Sequence, residues 1–378
     1  MTVSNKKNAA EISAIFQAAA EKAVAAGERG IQIAVYQDGR LVADVCAGIA
    51  DPSTGRAVDK GTLFNIFSVT KAITNVALQI QADRGLIGYS EQVAHYWPEF
   101  GANGKDAITV EDVLSHRSGL MQMPDGVTPE LMVDYAWMVR QLASMAPMYP
   151  PGTTNAYHAY NWGWLVSELV TRTDPKQRPF RQFVADEILD PLGINDFWLG
   201  IPQSELGRLA KLEGASSFSQ MSPDAPYRKA IPEAVGTVPE VWMRRDVQQG
   251  LHPGAGAISK ASSVARFWAM LAGEGELDGV RILSKKIANG LNVPRVDSGE
   301  VDLVLGKAAA VSRRGFWLAG TNAAVGSSPR LICHPGAGGS LGWADPDNRL
   351  AVAICHNRMG VAYDKALAEA MRLAFDVA

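Results

Sequence analysis

Strand-like segments lie at both ends of this chain and constrain its fold. Near the start, two β-branched runs flank Asp38-Gly39, and an Asp-Gly pair between such runs predicts a β-hairpin. Near the end, four short strand-like segments follow one another between about 314 and 357. Helical patterns precede the first run, at about 9–27, and follow the last, from Tyr363. We therefore expect one central antiparallel sheet, formed from both chain ends and flanked by helices.

The middle of the chain has a different pattern. Between roughly 88 and 250, short helical patterns alternate with Pro/Gly loops, and strand-like alternation is scarce. A chain of 378 residues is long enough for two domains, or for one domain with a large insertion. The pattern predicts an α/β (α+β) domain from 1–87 and 251–378, a mainly helical inserted domain at 88–250, and an active site between them.

Composition excludes several classes of partner. The net charge of −3 and the pI of about 6.1 give no electrostatic reason to expect nucleic acid or an anionic membrane as a partner. Polar residues divide the apolar residues of the N-terminal segment, which therefore predicts an amphipathic helix and not a signal peptide. No run approaches the roughly 18 apolar residues of a membrane span. Three cysteines are too few for a disulfide framework. We expect a cytoplasmic protein without cofactor or metal, and the sequence leaves its oligomeric state open.

The stretch NIFSVTKAITNVALQI, at 65–80, carries a candidate nucleophile. Ser68 and Lys71 are three residues apart on a predicted helix, so their side chains share one face. A buried lysine can act as a base because burial lowers its pKa from about 10.4. The competing interpretation is that Lys71 extends to solvent and Ser68 caps the helix. About one Ser-x-x-Lys pair is expected by chance, and a second one occurs at Ser4 and Lys7.

The wider chain resembles the serine β-lactamase and penicillin-binding-protein superfamily. The segments that resemble it are SVTK (68–71), ITVEDVLSHRSGL (108–120), YPPGTTNAYHAYNWGWLVSELV (149–170), HPGAGAISKASSVARFWAMLAGEGELDGVRILS (252–284) and CHPGAGGSLGWADPDNRLAVAICHNRM (333–359). Tyr157 lies at the tyrosine position of the third segment. The order and spacing of these segments cover most of the chain. The resemblance implies a β-lactamase-like fold.

The resemblance also implies a role for each motif residue. Ser68 would attack an acyl carbonyl and form an acyl-enzyme. Lys71 and Tyr157 would share the work of general base, with the lysine ammonium favouring the tyrosine phenolate. The backbone N–H groups of Ser68 and Ala337 would form the oxyanion hole. Gly336 would let the strand backbone come close to the substrate. Without the resemblance, we would interpret Tyr157 as a core tyrosine.

Two departures from the β-lactamase pattern favour esters. Ala159 stands where class C β-lactamases have the Asn that contacts the acylamino side chain of the drug. His334 stands where they have the Lys that helps hold the β-lactam carboxylate, and histidine is mostly neutral at pH 7. The combination is more similar to the family VIII carboxylesterases. We predict a carboxylesterase for small-molecule esters, with Ala159, His334, Gly336 and Trp162 as substrate-binding residues.

Other functions remain open. An acyltransferase of the same fold, a β-lactamase, or an amidase or peptidase for D-residue peptides would use the same machinery. A non-catalytic recognition module with this fold is a further alternative. The intact set of Ser68, Lys71 and Tyr157 argues against it, because a binding module does not need all three residues.

Two further motifs receive a structural interpretation. The Gly-x-Ser-x-Gly match at 338–342 lies between strand-like runs, whereas a nucleophile elbow needs a helix directly after the serine. The Cys-His pairs at 333–334 and 355–356 alternate along strands, so their side chains cannot converge on a metal. We interpret His95, His116 and His252 as structural or surface histidines.

Overall fold

The computed structural model describes residues 7–214, 221–222, 224–319, 327–360 and 362–375. Within these residues the strands are β1 (Gly30–Gln37), β2 (Arg40–Asp51), β3 (Arg56–Ala57), β4 (Phe64–Asn65), β5 (Phe197–Leu199), β6 (Ala257–Ser259), β7 (Glu276–Leu277), β8 (Val280–Arg281), β9 (Val301–Asp302), β10 (Lys307–Ala308), β11 (Trp317–Leu318), β12 (Ile332–Pro335), β13 (Leu341–Asp345) and β14 (Leu350–His356).

The α-helices of the described residues are α1 (Ala9–Ala25), α2 (Thr70–Asp83), α3 (Val93–Tyr96), α4 (Val110–Leu114), α5 (Pro129–Val133), α6 (Tyr135–Ser144), α7 (Asn161–Thr173), α8 (Phe180–Val184), α9 (Pro226–Ala230), α10 (Pro239–Trp242), α11 (Arg245–Gln249), α12 (Ala261–Ala272), α13 (Lys285–Ala288) and α14 (Asp364–Phe375). Short 3₁₀ turns include Phe67–Val69 and Ala337–Gly339. None of the described helices has both the length and the apolar character that a membrane crossing requires.

The main sheet joins the two ends of the chain. Its seven strands lie in the order β11-β12-β13-β14-β1-β2-β3, and every neighbouring pair is antiparallel. Strand β1 pairs with β14 in a register that places Ile33 opposite Ile354. The predicted hairpin is confirmed, with Asp38 and Gly39 both at positive φ (50° and 77°) between β1 and β2. The predicted sheet, its dependence on both termini and the β-lactamase-like mixture of helices and strands are therefore confirmed.

Helices cover both faces of this sheet. All but the last residue of β1 are buried, as expected for a strand with a packed layer on each side. On one face, the side chain of Gln32 accepts a hydrogen bond of 2.9 Å from the N–H of Ala261, the first residue of α12. Helices α1 and α14 pack against each other, with the rings of Phe16 and Phe375 6.2 Å apart, and α1 also packs on β2. The core of the α/β part lies between these layers.

Helix α2 connects the sheet to the helical part of the chain. Its residues from Thr70 to Gln81 are all buried, and it packs against α7. Strand β4, just before α2 in the chain, belongs to a small three-stranded sheet in the order β4-β6-β5, which includes β5 from the helical region. The described part of 88–250 is otherwise helix and loop. This arrangement surrounds the start of α2, where Ser68 and Lys71 lie, with elements from three distant parts of the chain.

A close backbone contact holds α7 against the 253–254 segment. A Cβ atom at Gly163 of α7 would lie 2.1 Å from the Gly254 nitrogen and 2.6 Å from the Pro253 carbonyl carbon. These are backbone atoms, which cannot move aside as the end of a side chain can. Glycine at 163 therefore lets the 253–254 segment pass directly against α7.

Substituting Gly163→Ala should destabilise the protein. The added methyl group overlaps backbone, and such overpacking costs about 1–3 kcal/mol, although alanine favours a helix more than glycine does. Urea unfolding followed by circular dichroism measures the loss. Gly207→Ala is the matched control, because a Cβ there meets nothing within 4 Å. Equal stability of Gly163→Ala and the wild type would show that the close contact does not constrain the fold.

Candidate active site

Ser68 lies in a strained turn that faces a cavity. The 3₁₀ turn Phe67–Val69 connects β4 to α2, and Phe67 has φ 46°, a conformation that is uncommon for a residue with a side chain. Packing holds this backbone, since the Phe67 ring contacts Trp242 edge-on at 5.1 Å and the Phe67 carbonyl accepts a bond from Thr70 Oγ1. Backbone strain of this kind is concentrated at functional sites. Ser68 is 9% exposed and lines the cavity.

Lys71 is buried beneath Ser68. Its Nζ lies 3.1 Å from Ser68 Oγ and donates hydrogen bonds to the carbonyl oxygens of Ala159 (2.6 Å) and Gly254 (2.9 Å). The side chain is only 1% exposed. The alternative in which Lys71 reaches solvent is therefore wrong. One of these carbonyls lies just before α7 and the other in the 253–254 segment. The packing of α7 against that segment places both beside α2.

The surroundings favour the neutral amine of Lys71. No carboxylate among the described residues forms an ion pair with it, and burial lowers its pKa well below the ordinary 10.5. A neutral amine has two N–H donors and one lone pair. If the carbonyls of Ala159 and Gly254 accept the two N–H groups, the lone pair remains for the hydroxyl proton of Ser68. The arrangement can thus remove the proton that makes a serine hydroxyl a poor nucleophile.

Tyr157 completes the group around Ser68. Its side chain lines the same cavity as Ser68, and Lys71 Nζ lies 5.1 Å from the centre of its ring. Burial raises the pKa of Tyr157 above its ordinary value of 10.0, and the influence of the Ser68 hydroxyl only partly opposes this effect. Burial disfavours the charged form of both side chains, because it raises the pKa of Tyr157 and lowers that of Lys71. The sharing of general-base work between a lysine ammonium and a tyrosine phenolate stays a prediction.

Four buried histidines surround this group without adding charge. Burial lowers the pKa of His158 to about 4, those of His252 and His334 to about 3, and that of His116 well below 6.5. The charge of Lys71, when present, lowers each of them further. The ring of His116 packs 4.9 Å from that of Tyr157. The structural interpretation of His116 and His252 agrees with their burial, and they act here as neutral packing around the reacting groups.

The cavity above Ser68 has a volume of about 220 Å³. Its lining residues are Phe67, Ser68, Tyr157, Ala159, Tyr160, Tyr227, Ile231, Thr237, Ala255, Leu305, Lys307, Trp317, Pro335, Gly336 and Ala337. Ser68 and Ala337 each belong to a short 3₁₀ turn, whose first N–H groups lack acceptors inside the turn. A Cβ at Gly336 would lie 2.5 Å from the Ile66 carbonyl oxygen, so glycine lets β12 approach the segment just before Ser68.

Two residues that the sequence predicted to contact substrate, His334 and Trp162, do not line the cavity. The His334 side chain is 1% exposed, and its Nδ1–H donates to the Pro335 carbonyl at 2.8 Å. Its ring packs 5.7 Å from that of Trp317. Trp162 is fully buried and donates its indole N–H to the Leu114 carbonyl. Neither side chain lines the cavity, which corrects the prediction that both contact substrate. Ala159 and Gly336 do line it.

The Gly-x-Ser-x-Gly match and the two Cys-His pairs do not form a second catalytic or metal site in the described residues. Ser340 is 1% exposed and is followed directly by β13, which agrees with the rejection of a nucleophile elbow. His356 lies 2.9 Å from the carboxylate of Glu28, whereas His334 packs near Tyr157. No group of three or more His, Cys, Asp or Glu side chains in the described part of the chain could hold a metal ion.

Asp302 is a site residue that the sequence did not reveal. Its Oδ1 accepts a hydrogen bond of 2.9 Å from the N–H of Tyr157, and further bonds from the N–H groups of Val304 and Leu305. Its Oδ2 lies 3.6 Å from Arg295 Nη2, and both residues are almost fully buried. This carboxylate thus fixes the backbone at Tyr157 from a segment 145 residues away. No motif or periodicity marks Asp302, and only the folded structure identifies it.

A serine and a tyrosine that line one cavity, with a buried lysine behind the serine, define on this fold a serine hydrolase of the esterase/β-lactamase-like superfamily. The beta-lactamase family profile matches residues 16–375, and the chain belongs to that family. It is 32% identical to "Esterase/beta-lactamase LipL" of Mycobacterium tuberculosis (strain ATCC 25618 / H37Rv) over 348 residues, which are 87% of this chain and 77% of that protein.

Two solved structures share the fold over nearly the whole chain. One, described as "Crystal structure of a family VIII carboxylesterase", gives a TM-score of 0.88 at 29% identity and covers 97% of this chain and 98% of that chain. The other, a penicillin-binding protein homologue from Caulobacter crescentus, gives 0.86 at 29% identity with the same coverage. The predicted superfamily is therefore confirmed.

Substituting Asp302→Asn should slow the reaction more than it weakens substrate binding. The amide can still accept a bond from Tyr157, but it cannot balance Arg295, so the Tyr157 backbone shifts. Misplacement by about 1 Å can cost on the order of 100-fold in rate. Steady-state kinetics with a chromogenic ester should show a fall in kcat of at least about tenfold with a smaller change in KM.

Asp297→Asn is the control for this substitution. Asp297 contacts Arg117 and accepts a bond from Asn155 through its backbone oxygen, and its side chain is half-exposed. Thermal unfolding of both variants separates loss of structure from loss of rate. Wild-type kcat in a folded Asp302→Asn protein would refute the positioning role.

Proposed function

We propose that this protein is a carboxylesterase that forms an acyl-enzyme on Ser68. One observation carries the proposal: a fully buried lysine amine with no acidic partner among the described residues lies 3.1 Å from the Ser68 hydroxyl. The similarity to a family VIII carboxylesterase structure and to a mycobacterial protein named as an esterase/β-lactamase supports the same reaction class.

In the proposed acylation step, Ser68 Oγ attacks the ester carbonyl as its proton passes to the amine of Lys71. The backbone N–H groups of Ser68 and Ala337 stabilise the negative charge that develops on the carbonyl oxygen. The C–O bond to the alcohol then breaks. The proton moves from Lys71 through the Tyr157 phenol to the leaving oxygen, which restores the neutral amine and releases an alcohol.

In the proposed deacylation step, a water molecule takes the place of the alcohol. Tyr157 and Lys71 remove its proton as it attacks the acyl-enzyme carbonyl. The same two N–H groups stabilise the second tetrahedral intermediate. Collapse of that intermediate breaks the bond to Ser68 Oγ, which regains its proton, and releases the carboxylic acid.

The lining of the cavity favours an ester over a β-lactam. Ala159 has no amide to read an acylamino group, and His334 is neutral and buried away from the cavity. Most of the lining residues are aromatic or aliphatic, which suits an acyl chain. We further propose that the site lies between an α/β domain, 1–87 and 251–378, and a helical domain, 88–250, of a cytoplasmic protein.

Covalent trapping tests the proposal. A fluorophosphonate probe should add one adduct to the intact mass of the wild type, and 4-nitrophenyl butyrate should be hydrolysed with a burst. Ser68→Ala should give neither result, because the attacking oxygen is absent. Ser340→Ala, which changes the serine of the Gly-x-Ser-x-Gly match, should label like the wild type.

Other outcomes would favour the alternatives. No adduct on the wild type, or equal labelling of Ser68→Ala, would refute the esterase proposal. Robust turnover of nitrocefin would favour a β-lactamase. A rise in product at the expense of hydrolysis, when a nucleophilic alcohol is added, would favour an acyltransferase.

A further inference from the structure

One ionic side chain lines the catalytic cavity in the part of the chain that the structure describes. Among the fifteen residues that line it, Lys307 is the one Asp, Glu, Lys or Arg. Lys71 lies behind Ser68 and does not line the cavity, and burial lowers its pKa well below the ordinary 10.5. The residue that replaces the motif lysine, His334, is also neutral and does not line the cavity. Among the described lining residues, Lys307 is therefore the one that offers a positive charge to a substrate.

A short hairpin holds Lys307 in place. Lys307 begins β10, and its cross-strand partner in β9 is Asp302. Directly opposite residues of an antiparallel pair project from the same face, so Lys307 extends on the face that Asp302 turns toward Tyr157. The bond from the Leu303 N–H to the Asn155 carbonyl (2.8 Å) ties the hairpin to the segment before Tyr157. The hairpin that positions the proposed acid–base tyrosine thus also carries the cation.

Lys307 is available to a ligand. It is exposed and forms no ion pair with any described residue. The carboxylate across the hairpin already accepts three N–H bonds and faces Arg295. Two other lysines have partners: Lys105 donates to backbone carbonyls, and Lys260 pairs with Asp196 at 2.7 Å.

We propose that Lys307 binds a carboxylate carried by the substrate, so that the preferred substrates are esters with one anionic group. This inference rests on the proposed esterase function and names its substrate class. A single ammonium, with no arginine beside it among the described lining residues, suits a single negative charge, whereas a phosphate group is usually held by several donors. The apolar lining accepts the rest of the ester.

Two matched pairs of chromogenic esters test the inference. The first compares the mono-4-nitrophenyl ester of adipic acid with 4-nitrophenyl hexanoate, which places the carboxylate on the acyl side. The second compares 3-carboxy-4-nitrophenyl butyrate with 4-nitrophenyl butyrate, which places it on the alcohol side. For each pair, the measured quantity is the ratio of kcat/KM for the carboxylate ester to kcat/KM for the neutral ester.

Lys307→Ala should lower this ratio about five- to tenfold for one pair, mainly through KM, because a partly exposed ion pair contributes modestly. The pair that responds identifies the side of the ester that carries the anion. Lys307→Glu should lower the ratio further, Lys307→Arg should retain it, and added salt should reduce it in the wild type. Lys286→Ala, a change of an exposed lysine on α13 outside the cavity lining, should leave the ratio unchanged. An unchanged ratio in Lys307→Ala for both pairs would overturn the inference.

A binding measurement separates this inference from the proposed function. Calorimetry on Ser68→Ala should detect monomethyl adipate more strongly than methyl hexanoate, and Lys307→Ala in the same background should abolish the difference. Binding of this kind in a wild type that forms no acyl-enzyme would support the Lys307 site while refuting the esterase. Hydrolysis of neutral esters without any such difference would support the esterase and refute the Lys307 site.

Discussion

The burial of Lys71 without an acidic partner among the described residues is the interaction on which the rest of the site depends. A carboxylate beside this amine would hold it as an ammonium, which cannot accept a proton from Ser68. The chain instead surrounds it with two backbone carbonyls, a neutral phenol and four neutral imidazoles. The carbonyls accept hydrogen bonds from the amine, and the rings exclude water from it. None of these groups adds a negative charge that would raise the pKa of Lys71, which burial lowers.

The fold supplies these groups from distant parts of the chain. Helix α2 carries Lys71, α7 and the segment before it bring the Ala159 carbonyl, and the loop before β6 brings the Gly254 carbonyl. Strand β12 passes close to the turn of Ser68 because residue 336 is glycine. The β9–β10 hairpin then fixes Tyr157 through Asp302 and places Lys307 at the cavity. Close backbone packing, more than any single side chain, brings the reacting atoms together.

Local features were predictable from the sequence, and long-range contacts were not. The Asp38-Gly39 turn and the Ser68–Lys71 spacing depend on adjacent residues, and both predictions agree with the structure. Alternation along a strand does not show which of its faces meets the cavity. The sequence therefore predicted a substrate contact for His334, whereas its side chain does not line the cavity. The rise in the pKa of Tyr157 was not predictable, because burial, its main cause, is a property of the folded chain. Asp302 acts across 145 residues, and no local pattern encodes that contact.

The central claim is that Lys71 is a neutral amine in the folded protein. Nuclear magnetic resonance of protein labelled with ¹³C at lysine Cε, with the Lys71→Arg variant to assign the signal, reports the protonation of this one side chain during a pH titration. The account predicts a Lys71 resonance that titrates well below 10.5, while exposed lysines such as Lys286 titrate normally. A Lys71 side chain that stays protonated up to a pH of about 10.5 or higher would contradict this claim.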